Sequence, residues 1–132
     1  MTDSLHPYFN PAPYIPASLS EIYDLLGSMV LGAPAFIDQS GTFPDRNLES
    51  TFHQLATGFS LVRAKLGETR YASLMELTTR AKALFAGDPE DTNGETDEGR
   101  ALLFEIEDII QATRAERVEK RLPDEEGNVT GD

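Results

Sequence analysis

Apolar residues recur at helical spacing in four segments of this chain. Leu19, Ile22, Tyr23, Leu26, Met29 and Val30 make one stripe, the repeat of an amphipathic helix. Ser18-Leu19-Ser20-Glu21 fits a capping box, in which Ser18 caps the helix and Glu21 reaches back. Gly32 and Pro34 stop it. The spacing predicts a helix over 18–31. Leu48, Phe52, Leu55, Phe59, Val62 and Leu66 alternate in steps of four and three, a narrow seam like that of a coiled coil. They predict a helix over 47–66, starting after Asp45 or Asn47 and ending at Gly67. Gly58, inside it, would let a neighbouring helix approach closely. Tyr71, Leu74, Met75, Thr78, Ala81, Leu84 and Phe85 predict a third helix over 68–86, stopped by Gly87 and Pro89. Leu102, Leu103, Ile106, Ile109, Ile110, Thr113 and Val118 predict a fourth over 96–121.

No run alternates with period two, and the Asn93-Gly94 pair stands between acids rather than between apolar strands. The expected fold is therefore all-α: a four-helix, mainly antiparallel bundle. Its expected core is Ile22, Leu26, Phe52, Leu55, Phe59, Val62, Leu74, Leu84, Leu103, Ile106 and Ile110. Three divisions follow. Residues 1–17 are an arm rich in Pro and aromatic residues, which cannot be helical. Residues 18–122 are a single helical domain. Residues 123–132 are an acidic tail expected to be disordered.

Composition narrows the function. The 132 residues carry 23 acidic and 11 basic side chains, a formal net charge of −12. Such a field disfavours nucleic acid and anionic membrane, and favours a basic protein. Ten of the acids fall in 87–99 and 123–132, which have no Lys; the rest of the chain is close to charge balance. There is no Cys, hence no thiol nucleophile, disulfide or thiolate metal site. Neither a secretory signal nor a membrane-spanning run is visible in the sequence, so a cytoplasmic location is expected.

Catalytic parts are hard to find. His6 and His53 are the histidines. His53 adjoins the seam of the second helix and reads as a partly buried, hydrogen-bonded side chain rather than a base. Glu95-x-x-Glu98 and Glu105-x-x-Asp108 look like the paired carboxylates of helical nucleotide pyrophosphohydrolases, but such pairs must face each other from separate helices to hold Mg²⁺. Six residues are too few for a turn back between them. Counted from Asp91, the acidic loop fails the EF-hand pattern at its sixth and twelfth positions, Thr96 and Leu102. No catalytic residue, metal site or cofactor is expected, and the chain reads as a non-enzyme.

The stretch Gly87-Asp-Pro-Glu-Asp-Thr-Asn-Gly-Glu-Thr-Asp-Glu98 between two helices, with the body from Phe43-Pro-Asp-Arg-Asn-Leu48 onward, resembles the small acidic helical immunity proteins of bacterial polymorphic toxin systems. The resemblance is one of class. It implies an antitoxin that binds and occludes a cognate basic toxin domain. It implies contact through Asp88, Glu90, Asp91, Glu95, Asp97 and Glu98. The aromatic residues outside the helices, Tyr8, Phe9, Tyr14, Phe36 and Phe43, are expected to supply apolar contact, since binding hot spots are rich in rings. The loop acids belong to no core seam, so reversing their charge should leave the fold intact. The alternatives are a generic interaction adaptor or chaperone and, behind it, a carboxylate-metal nucleotide hydrolase. Oligomeric state is not legible.

Overall fold

The computed structural model describes residues 15–37 and 47–120. They are all helical in their regular structure: α1 (Leu19–Gly32), α2 (Leu48–Leu61), α3 (Arg63–Leu66), α4 (Glu68–Ala86) and α5 (Glu95–Glu119). No strand occurs among the described residues. Most of the arm, the segment 38–46 and the tail lie outside them.

The sequence signals act where they stand. The Ser18 hydroxyl accepts from the Glu21 backbone N–H at 3.1 Å, and the Glu21 carboxylate accepts from the Ala17 N–H at 2.9 Å. Asn47 and Ser50 close a reciprocal capping box at the head of α2. One expectation is corrected. The helix expected over 47–66 is broken at Val62 into α2 and the single turn α3. Val62 still donates to the Gly58 carbonyl, so the break is a local bend. The α3 turn is tied forward instead: Arg63 grips the Glu68 carboxylate through two nitrogens and lies over the Tyr71 ring, 4.2 Å from its centre.

Side-chain ties fix the relative directions of the helices. The start of α4 meets the end of α5 through Arg70 and Glu116, while Phe85 near its other end packs over Gly99. These two contacts run α4 and α5 in opposite directions. Lys82–Glu49 and Tyr71–Ser60 do the same for α4 and α2. Arg114 over the Tyr23 ring and Arg100 on the Val30 carbonyl do it for α1 and α5. Gly58 allows the close approach its position suggests, but the nearest group is the Pro16 ring, followed by Ile22 of α1.

Inside lies one apolar cluster that includes Leu26, Phe59, Leu74, Phe85, Leu103 and Ile110. Of the expected core, Leu84 alone is corrected: it is half-buried at the edge, and its neighbour Phe85 takes the interior position. His53 is also corrected, because its side chain is exposed. No described helix is long and apolar enough to cross a membrane.

Candidate functional site

The acidic loop joins α4 to α5, and its conformation follows from how the head of α5 is capped. Gly94, the residue before that helix, has φ +89° and no side chain with which to cap it. The loop supplies the acceptors. Asn93 Oδ1 takes the Glu95 N–H at 2.9 Å, and Asp88 Oδ2 takes the Thr96 N–H at 2.9 Å. Asp88 Oδ1 also accepts from the N–H groups of Thr92 and Asn93. The Thr96 hydroxyl closes the ring by donating to the Asp88 carbonyl. Burial alone would push the Asp88 carboxyl up; the donors from Thr96, Thr92 and Asn93 outweigh it and hold the group below the usual carboxylate range.

This corrects two expected contact residues. Asp88 is 1% exposed and spent on bracing the loop, so its charge is not offered to a partner. Phe36 is 3% exposed. Its ring stands edge-on to Phe52 and Phe85, with centroids 5.6 and 5.2 Å away, and so belongs to the core. Tyr8, Phe9, Tyr14 and Phe43 lie outside the described residues.

The other acids have distinct surroundings. Glu90, Asp91, Asp97 and Glu98 are exposed. Asp91 sits at φ +56°, a left-handed conformation that Asp tolerates better than most residues. Glu95 is half-buried, with its carboxylate over Gly87. The loop thus holds four carboxylates outward and folds two in. Asp97 accepts from Arg100 at 3.0 Å, and Asp91 lies 4.0 Å from the same guanidinium.

Arg100 carries a role that the sequence reading missed. It donates to the Val30 and Ala33 carbonyls, both at 3.3 Å. The last turn of α1 has no basic residue of its own, so Arg100 supplies from α5 the positive charge that a helix C-terminus favours. The same tie brings the end of α1 beside the acidic head of α5. Leu31 and Ile37 at that end and Phe104 on α5 are exposed by 87%, 58% and 51%. Phe104 also went unnoticed in the sequence; its signal is a large aromatic residue off the buried stripe of a long helix.

Among the described residues no three His, Asp or Glu side chains converge to hold a metal ion. No family model, curated protein or solved structure matches the chain.

Proposed function

We propose that this chain is a non-enzymatic inhibitor that binds and occludes a basic protein, after the manner of the immunity proteins it resembles. The proposed partner is a toxin domain, and the proposed setting is the bacterial cytoplasm. One observation carries the reading: a cross-braced loop displays Glu90, Asp91, Asp97 and Glu98 together at the head of α5. A charge cluster serving solubility alone gains nothing from a buried carboxylate brace. A partner that must be met in a fixed orientation does, because less ordering is then left for the binding step. Exposed like charges also speed encounter with a basic surface, by roughly 10–10³-fold. We read the four longer helices as one antiparallel bundle that serves as the rigid stand for this loop.

Coexpression with the protein encoded beside this one tests the proposal. The expected result is a stable complex and relief of the neighbour's toxicity. A triple variant, Glu90→Lys, Asp91→Asn and Glu98→Lys, should fold normally yet protect poorly. Asn is chosen at 91 because it accepts the positive φ. A complex without toxicity to relieve would favour the adaptor reading, and full protection by the variant would remove the loop from the contact.

A further inference from the structure

Three residues on α5 share a heptad stripe: Arg100, Glu107 and Arg114. Both arginines are tied to α1, one on the Val30 and Ala33 carbonyls, the other over the Tyr23 ring at 5.3 Å. Glu107 lies midway between them, so the stripe sets it opposite the middle of α1. That part of α1 contains Gly27, where an added Cβ would meet nothing within 4 Å. A gap therefore opens between the helices beside Glu107. Its rim bears two of the most exposed apolar side chains, Leu31 and Phe104, each one turn further along its helix or one turn before Glu107.

We propose that this notch between α1 and α5 receives a Lys or Arg side chain carried on an apolar segment of the basic partner protein. The proposal rests on the reading of the chain as a binder of such a protein, and names where its anchor seats. Charge complementarity selects the occupant. Glu107 is half-buried and makes no ion pair or hydrogen bond among the described residues. Burial, then the neighbouring Asp108, pushes its carboxyl up; a cation seated beside it would relieve both effects. Asp24, one turn before Gly27, adds a further exposed negative charge. The arginines on the stripe do not compete, since each is already engaged with α1. Leu31 and Phe104 would cover the stem of the incoming side chain, the arrangement in which apolar contacts exclude water from a charged anchor.

The test is a titration of the isotope-labelled full chain with a synthetic amphipathic helical peptide of Leu and Lys. Amide shifts should concentrate at Gly27, Leu31, Phe104 and Glu107. Glu107→Gln and the notch-filling Gly27→Leu should each weaken binding about 3- to 10-fold. Both variants should fold, because one keeps the side-chain shape and the other projects into open space. A matching peptide of Leu and Glu should not bind. Shifts confined to 90–98, with unchanged affinity in both variants, would overturn the notch and leave the acidic-loop reading standing. Absence of binding by the Leu/Lys peptide would overturn both.

Discussion

Asp88 shows how one side chain changes the meaning of a charge cluster. Counted in the sequence it is one acid among six in 87–99; in the fold it joins α4, the loop and α5. Its folded carboxyl titrates below the unfolded value. The stability it contributes is thus fully present above the ordinary carboxylate range, about 3.9 for Asp, and is lost as pH falls through the lowered folded value. Asp88→Asn should lower the melting temperature at neutral pH, and the loss should shrink in acid, as followed by thermal unfolding across pH. Glu107 has the opposite sign. Its raised carboxyl disfavours the ionised folded state, so the penalty appears as pH rises through the raised value. Glu107→Gln should therefore match or exceed the parent in melting temperature at neutral pH, by the same assay. Phe36 is held at φ +60°, which costs a non-Gly residue about 1–2 kcal/mol. Its ring is kept there by burial against Phe52 and Phe85. Phe36→Ala should destabilise by about 3–5 kcal/mol in urea unfolding; an unchanged midpoint would return Phe36 to the surface.

The helical elements were legible because their apolar residues repeat every three or four positions and their ends carry capping side chains. Ser18, Asn47 and Gly67 stand where the sequence placed the boundaries. What escaped lacks such a signal. A loop residue such as Phe36 has no periodic face, so nothing in the sequence separates a packed ring from an exposed one. The break at Val62 leaves the i to i+4 apolar repeat intact, because Val62 and Leu66 are both buried. Of the candidate contact residues, the outward set Glu90, Asp91, Asp97 and Glu98 was readable as charge, whereas the inward turn of Asp88 depends on backbone N–H groups that the sequence does not display. Gly67 offers a direct check at this scale. With φ +82° and ψ 160° it occupies a region essentially reserved for Gly, where α3 turns into α4. Gly67→Ala should cost about 1–3 kcal/mol in the same unfolding measurement. Gly27→Ala, in the open middle of α1, should instead stabilise by up to about 1 kcal/mol.

At the scale of the molecule, charge and packing divide the labour. The interior is an apolar cluster shared by the four longer helices and α3. The net charge of −12 is borne outside it. Surface ion pairs such as Lys82–Glu49 and Arg70–Glu116 cross between helices, yet exposed pairs contribute little, typically about 0.2–1 kcal/mol each. Salt should accordingly have a small effect on unfolding. Its effect on association with a basic partner should be large, because the loop carboxylates act through solvent. That contrast separates a docking surface from a stabilising one. The most direct test is the association rate of the full chain with the protein encoded beside it, measured over a range of salt. The rate should fall steeply as salt rises. Glu90→Lys, Asp91→Asn and Glu98→Lys together should lower it and flatten the slope. No complex, or a salt dependence that the folded triple variant leaves unchanged, would contradict the account.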